Sequence, residues 1–212
     1  MTPATTSGAR RPTQRKGDRT GQAIRDALEA LLADRQLSEI TVDEIAKGAG
    51  ISRSAFYFHY ESREAVLYAL TEQLTEQLYT SGTAWFRRAD ESPTDALRRA
   101  ISQTLVLWRQ HGPVLRAGIR ARDTDPRIRE FWITAGRRFI DATAEQIEQE
   151  RAQGLAIPGP PSARRLASLL VVMNEQACLY HSLTQRSAKS DTEFVDALCA
   201  VGIRSIYGSP QP

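Results

Sequence analysis

The stretch TVDEIAKGAGISRSAFYFHYESREAVLYAL, residues 41–70, decides the fold of this chain, because it holds two short helical patterns joined by a glycine-rich turn. Thr41 and Glu44 have the spacing of a capping box, in which a hydroxyl and a carboxylate satisfy free N–H groups at a helix start. The glycines of KGAG allow the sharp reversal that ends this helix. A second helix is expected after Ser52. Two short helices packed across such a turn are the plan of a helix-turn-helix.

The second helix separates core residues from polar ones. Ala55 and Phe56 are expected to point inward, with Tyr60 following them. The opposite side and the helix N-terminus are expected to carry Ser52, Arg53, Ser54 and Tyr57. The second helix of a DNA-binding helix-turn-helix presents its base contacts at that end. Arginine pairs bidentately with guanine, and hydroxyl groups serve phosphates. The pattern therefore predicts a helix that is half core and half reading surface.

The rest of the chain after residue 18 also has helical periodicity. A fourth helix is expected from Ser62 to about Phe86, and later starts are indicated at SPTD, at DP (125–126), at Ser162 and at the capping box SDTE (190–193). The prediction is an all-α protein of about nine helices. An N-terminal helix-turn-helix DNA-binding domain is followed by a C-terminal helical domain for ligand binding and dimerisation.

Composition places the chain among soluble globular proteins. It has 212 residues, 41% of them hydrophobic and 25% charged, and no apolar run approaches the roughly 20 residues of a membrane span. The N-terminus lacks the apolar stretch of a secretory signal. Cys178 and Cys199 lie among apolar residues and are expected to be small buried thiols. A cytoplasmic protein without membrane contact is expected.

Basic residues are concentrated near the N-terminus. Arg10, Arg11, Arg15 and Lys16 precede the first acid inside a Pro-, Ser-, Thr- and Gly-rich segment. Such a segment is expected to be disordered alone, either as an arm that contacts phosphates or as a solvated tail. The expected organisation is a disordered basic arm over 1–17, a helix-turn-helix domain over 18–64 and an effector-binding and dimerisation domain over 65–212.

Catalytic and metal-binding motifs do not emerge from the sequence. His59, His111 and His181 are far apart, and HExxH, GxSxG and CxxC do not occur. The glycines of GAGISR follow a helix, whereas a dinucleotide loop follows a strand. We expect neither an enzyme nor a cofactor. The remaining alternative to a DNA-binding regulator is a helical protein-interaction adaptor without DNA binding.

The run over residues 41–70 resembles the DNA-binding signature of the TetR family of bacterial transcriptional repressors. The resemblance implies groove contacts by Ser52, Arg53 and Ser54, backbone contacts by Tyr57 and His59, phosphate contacts by Thr41 and Arg63, and a lesser role for Lys47. Each has a structural alternative: Thr41 is also a cap, Tyr57 fits a core, His59 fits a surface, and Arg53 can pair with Glu61. Phe58 departs from the polar residue common there, and groove contact and packing both stay open for it.

Short segments spread over the C-terminal part resemble the EthR subgroup of ethionamide-resistance regulators: LRAG (115–118), ERAQG (150–154), VVMNEQ (171–176) and SIYG (205–208). The resemblance implies a small, largely apolar effector in an apolar tube, with Asn174 as its polar hook and walls at Trp108, Trp132 and Phe139. A core role for these residues is the alternative. Val171, Ala142 and Gly202 depart from the Asn or aromatic residues of the subgroup, so the effector need not be shared.

The last two helices are expected to form a homodimer, as the TetR resemblance implies. Their apolar positions include Leu166, Leu170 and Met173, then Phe194, Leu198 and Val201. Two such helices from each subunit make a four-helix interface. Two-fold symmetry implies a palindromic double-stranded operator. By analogy with the family, effector entry beside Asn174 is expected to shift the fourth helix and spread the two reading helices.

Overall fold

A computed structural model describes residues 16–82, 91–184 and 187–208. Within these ranges the chain forms eight α-helices, one 3-10 turn and no strand, which confirms the all-α prediction. The helices are α1 (Lys16–Leu32), α2 (Val42–Gly48), α3 (Arg53–His59), α4 (Arg63–Gly82), α5 (Pro93–Ala121), α6 (Pro126–Ala152), α7 (Ala163–Leu183) and α8 (Ala188–Tyr207).

The structure has eight helices in its described residues where about nine were expected, and the long helix α5 contains a kink. His111 leaves helical geometry at φ −120° and ψ 17°, two residues before Pro113. Proline has no N–H to donate, and its ring crowds the preceding turn, so the helix bends there. The two halves of α5 are continuous through this bend. The last two predicted helices are therefore α7 and α8.

Most predicted helix starts are present, and one is wrong. Thr41, Ser92, Asp125 and Ser162 each accept a hydrogen bond from an N–H in the first turn of the helix that follows. The SDTE segment does not cap the last helix, because α8 already begins at Ala188 with Ser187 as its cap.

Asp191 of the SDTE segment is a tertiary contact residue and not part of a capping box. Its carboxylate is buried, lies 2.7 Å from His181 Nε2 and also pairs with Arg109. This cluster joins α5, α7 and the first turn of α8. A buried acid in the first turn of α8 therefore serves tertiary packing.

Several expectations fall on parts of the chain that lie outside the described residues. These are the predicted end of the fourth helix near Phe86 and most of the basic arm, including Arg10, Arg11 and Arg15. Helix α1 begins at Lys16, slightly before the expected domain start, and α4 begins at Arg63, just before the expected boundary at 64/65. The division into domains stays a prediction.

Two hydrophobic cores organise the described chain. The first contains α1, α2, α3 and α4 and continues into α5 as far as Trp108, with Phe56, Leu67 and Leu115 among its buried residues. The second joins α5 to α6, α7 and α8. Because α4 belongs to the first core along its length, the helix-turn-helix and the helices that follow it are packed through one continuous apolar contact.

A close approach of α4 and α5 holds this contact. A Cβ at Gly118 would lie 2.8 Å from Thr71 Oγ1, which is well inside contact distance. Glycine lets the α5 backbone approach the Thr71 side chain of α4 at that point, where a larger residue would require a displacement. Thr71 itself is fully buried.

The two cysteines are buried and unbonded, as expected. Burial raises the pKa of the Cys178 thiol to about 12, so this thiol is neutral near neutral pH. Among the described residues, none of the helices has the length and apolarity that a bilayer crossing requires.

Candidate nucleic-acid interface and effector cavity

The N-terminal turn of α3 faces outward above a buried ring. Ser52, Arg53 and Ser54 are exposed, whereas Phe56 has no exposed surface. Ser52 caps the helix, since its Oγ accepts from the N–H of Ala55 at 3.2 Å and lies 2.9 Å from Ser54 Oγ. The turn has the orientation that the sequence predicted. Its hydroxyl groups and its guanidinium group lie at the protein surface.

Arg53 is held on this surface by one ion pair and one hydrogen bond to neighbouring side chains. Its Nη1 lies 2.6 Å from Asp43 Oδ2, and its Nη2 donates to Tyr57 Oη at 3.3 Å. Both side chains of the ion pair are more than half exposed, so the pair contributes little to stability. Asp43 also raises the pKa of Arg53, which stays charged. The acid that pairs with Arg53 is thus Asp43, and Glu61 pairs with Arg127 instead.

Thr41 caps α2 and Lys47 lies near its end, and both residues are exposed. The Thr41 hydroxyl is part of a capping box with Glu44, whose carboxylate accepts from the Thr41 N–H at 2.8 Å. A hydrogen bond from Arg35, together with those from the Thr41 N–H and hydroxyl, lowers the pKa of Glu44 to about 2. The capping role of Thr41 is therefore present whether or not it also meets a phosphate.

Arg63 is engaged by the protein itself. Its Nη1 donates to the carbonyl oxygens of Ser38 and Ile40 at 3.2 and 2.6 Å, and its Nε donates to Glu64 at 2.8 Å. These bonds tie the first turn of α4 to the segment that precedes α2. This geometry gives Arg63 a structural role that the TetR resemblance did not supply.

The aromatic residues of α3 differ sharply in exposure. Tyr57 is 47% exposed and Phe58 is 87% exposed, whereas Tyr60 and His59 are half-buried. The Phe58 ring touches the His59 ring edge-to-face, with centroids 5.5 Å apart. Packing in the core is therefore not the role of Phe58. It extends the exposed face of α3 by one turn beyond Ser54.

A cavity of about 170 Å³ lies between α4, α5, α6, α7 and α8. Its lining includes all four residues predicted to bind an effector, namely Trp108, Trp132, Phe139 and Asn174. Trp132 donates its indole N–H to the Gly118 carbonyl oxygen at 3.2 Å. The Asn174 amide oxygen is buried and has no hydrogen-bond partner.

Thr75 is a cavity residue that the sequence did not reveal. It is 6% exposed, lines the cavity from α4, and its hydroxyl oxygen is buried without a partner. The available sequence signal was weak, since Thr75 lies only one position after Leu74 in the apolar stripe of Leu70, Leu74 and Leu78. A threonine there is equally compatible with a helix surface.

Among the described residues, the cavity wall carries one acidic residue, Glu175, and it is paired. Glu175 Oε1 lies 3.0 Å from Arg122 Nη1. The Cys178 thiol is neutral, as its raised pKa requires. Most of the other lining side chains are apolar or carry hydroxyl groups. The site therefore suits an uncharged molecule.

The residues predicted for the dimer interface are divided between two environments. Leu166, Leu170 and Leu198 are at most 8% exposed and pack inside the second core of the same chain. Met173 is half-buried and lines the cavity, Phe194 stacks on His181 with centroids 4.2 Å apart, and Val201 is 45% exposed. The leucines thus face inward.

A different stripe of α7 is apolar and exposed. It consists of Leu169, Val172, Tyr180 and Leu183, which are 52 to 73% exposed. These positions recur at the three- and four-residue spacing of one helix face or at multiples of it. The sequence periodicity gave the correct helix, but it did not distinguish the inner face from the outer one.

Comparisons with known proteins agree with this arrangement. A family model described as "Bacterial regulatory proteins, tetR family" matches residues 24–70, and "Transcriptional regulator EthR, C-terminal domain" matches residues 97–208. The chain belongs to the TetR family of transcriptional regulators and has a C-terminal domain of the EthR type. Membership of this family confirms the expectation of a regulator and not an enzyme.

Particular relatives extend the match over most of the chain. The HTH-type transcriptional regulator EthR of Mycobacterium tuberculosis (strain ATCC 25618 / H37Rv) is 36% identical over 200 residues, which cover 94% of this chain and 92% of that protein. EthR of Mycolicibacterium smegmatis is 33% identical over 204 residues, covering 96% and 94%.

Solved structures share the fold at lower identity. A putative transcriptional regulator from Saccharomonospora viridis in complex with choline has a TM-score of 0.71 at 20% identity, covering 88% of this chain and 96% of that one. A putative TetR-family regulator from Mesorhizobium loti has a TM-score of 0.69 at 18% identity, covering 92% and 100%.

Phe56 and Phe58 provide a matched test of the two faces of α3. We expect Phe56→Ala to lower the free energy of unfolding by about 3–5 kcal/mol, because it empties a fully buried site. Phe58→Ala is expected to change it by less than about 0.5 kcal/mol, since that ring is exposed. Urea denaturation of the two variants measures both values. Similar losses for both would show that the α3 faces are assigned wrongly.

Proposed function

We propose that this regulator is a repressor that binds a palindromic operator as a homodimer and leaves it when a small, largely apolar effector occupies the cavity. The observation that carries the proposal is the exposed Ser52–Ser54 turn above the buried Phe56, in a core that continues along α4 to the cavity. Its DNA target implies a cytoplasmic location.

DNA contact is supported by the chemistry of the α3 surface. Arg53 offers a charged, planar donor, and Ser52 and Ser54 offer hydroxyl groups on the first turn. In a two-fold dimer, the second α3 reads the symmetric half-site, with half-sites separated by about 34 Å per DNA turn. Contacts to the DNA backbone are proposed for Thr41, Lys47, Tyr57 and His59. Arg63 is proposed to position α4 through its carbonyl contacts.

Arg53→Ala tests the reading surface. The variant is expected to lose about 1–3 kcal/mol of sequence-specific binding, which is roughly 5- to 150-fold in affinity. The measurement is a fluorescence-anisotropy titration with the duplex that this protein selects from a random library. Arg164→Ala is the control, because Arg164 is also an exposed, ion-paired arginine but lies on α7, away from the helix-turn-helix.

The control variant is expected to bind like the wild type. An unchanged affinity for Arg53→Ala would contradict base reading by this residue. If the wild type selected no duplex at all, the adaptor alternative would replace the repressor.

Dimerisation through α7 and α8 is supported by the exposed apolar stripe. Leu169, Val172, Tyr180 and Leu183 lie on α7, and Val201 adds an exposed apolar residue on α8. Contiguous apolar surface of this kind marks an interaction site. Of the interface residues predicted from the sequence, the proposed interface therefore retains Val201. The inward-facing leucines are replaced by the exposed apolar residues of α7.

Leu183→Glu is expected to convert the dimer to a monomer at micromolar concentration, because it places a charge in an apolar interface. Ile133→Glu is the control, since Ile133 is 48% exposed on α6, outside the stripe. Sedimentation velocity distinguishes the two species. A Leu183→Glu protein that sediments as a dimer would contradict this interface.

Helix α4 is proposed to carry the signal from the cavity to the DNA. Thr75 and Leu78 of α4 line the cavity, and Val66 and Leu67 belong to the core that contains Phe56. Arg63 fixes the first turn of α4 to the segment before α2. An effector shifts this helix only by binding the spread arrangement more tightly than the DNA-competent one.

A further inference from the structure

Phe58 of α3 places a large apolar side chain at the protein surface. It is 87% exposed, which is the highest value among the large hydrophobic side chains of the described residues. Its ring touches the edge of His59, the next residue in the chain. Single exposed apolar residues are common on protein surfaces, so exposure alone does not give this ring a function. Its position on α3 and its neighbours have to decide.

Phe58 projects from the face of α3 that is opposite to the core. Successive residues of an α-helix are rotated by about 100°, so residues two positions apart point in nearly opposite directions. Phe56 has no exposed surface, and Ser54 and Phe58 lie two positions before and after it. Both are therefore directed away from the core. They are four residues apart and so lie side by side on the outer face of the helix.

The groups beside Phe58 on this surface favour DNA as its partner. The exposed hydroxyl group of Ser54 lies one turn before it. On the flank of the same face, Arg53 donates a hydrogen bond to the Tyr57 hydroxyl at 3.3 Å. A ring that docks on another protein usually belongs to the charge-depleted centre of an apolar patch. Here it stands among hydroxyl groups and a guanidinium group, which are the groups that bind phosphates and base edges.

The chemistry of a phenyl ring restricts which base edge it can contact. The ring carries neither a donor nor an acceptor, so it cannot pair with the polar atoms that line the major groove. Covering those atoms would leave them without hydrogen bonds, which is costly. The C5-methyl group of thymine is the apolar group that this groove displays, and phenylalanine is among the side chains that contact it favourably.

We propose that Phe58 reads a thymine in each half-site of the operator, through contact of its ring with the C5-methyl group of the base. This inference rests on the proposed function and adds Phe58 as a specificity-determining residue. The polar contacts of Arg53 and the apolar contact of Phe58 then read different base pairs of one half-site. Two-fold symmetry of the dimer repeats the thymine contact in the other half-site.

The experiment removes the methyl group and leaves base pairing unchanged. Each thymine of the duplex that wild type selects from a random library is replaced by deoxyuridine, at both symmetry-related positions together and one pair at a time. Fluorescence anisotropy at constant salt measures the affinities of wild type, Phe58→Ala and Tyr57→Ala for every duplex. Tyr57→Ala is the matched control, since Tyr57 is an exposed aromatic residue of the same helix for which a backbone contact is proposed.

We expect replacement of one symmetric pair of thymines to lower the affinity of wild type about 10- to 20-fold. The reason is that each half-site loses the burial of one methyl group, and the two losses multiply. Phe58→Ala should bind the thymine and deoxyuridine duplexes with affinities within about twofold of each other. The exposed position of Phe58 means that this variant keeps its fold. Tyr57→Ala should keep the wild-type ratio between the two duplexes.

A wild-type affinity that no deoxyuridine pair lowers would overturn thymine reading by this helix. A ratio that is as large in Phe58→Ala as in wild type would overturn the role of Phe58, and its loss in Tyr57→Ala alone would assign the methyl contact to Tyr57. These results leave operator binding standing. If wild type selected no duplex, the proposed function itself would be overturned together with this inference.

Discussion

Burial of the Phe56 ring is the interaction on which the other features of this protein depend. Helix α3 has seven residues, and an isolated helix of that length is not stable in water. Its anchor is the contact of Phe56 with the core that α1, α2 and α4 build. The same contact turns Ser52, Arg53 and Ser54 outward. The burial of Phe56 and the exposure of the Ser52–Ser54 turn are therefore consequences of one packing arrangement.

The continuity of this core supports the proposed coupling between the cavity and the helix-turn-helix. Helix α4 packs beside Phe56 at one end and lines the cavity near the other end. The close approach of Thr71 and Gly118 leaves little room for α4 to move independently of α5. A molecule that pushes on Thr75 or Leu78 therefore acts on a rigid helix, and a packed helix transmits displacement because close-packed interiors do not absorb it.

Local signals made the fold and the reading helix predictable from sequence. The capping box at Thr41 and the turn after Gly48 act within a few residues, so their outcome does not depend on distant parts of the chain. The cap at Ser187 was missed because the SDTE segment offers a competing helix start that looks equally good locally. The inward direction of Leu166 and the burial of Thr75 depend on which helices pack nearby, and periodicity alone does not contain that information.

The most direct test of the account is the distance between the two α3 helices in the proposed dimer, measured without DNA. Spin labels at Lys47→Cys report it by double electron–electron resonance, because both native cysteines are buried. Saturation of the cavity with an uncharged, mostly apolar probe, N-butylhexanamide, should move the inter-label distance distribution to longer values. Tryptophan fluorescence monitors the saturation, because Trp108 and Trp132 line the cavity. An unchanged distribution in the saturated protein would contradict coupling of the cavity to the DNA-reading helices.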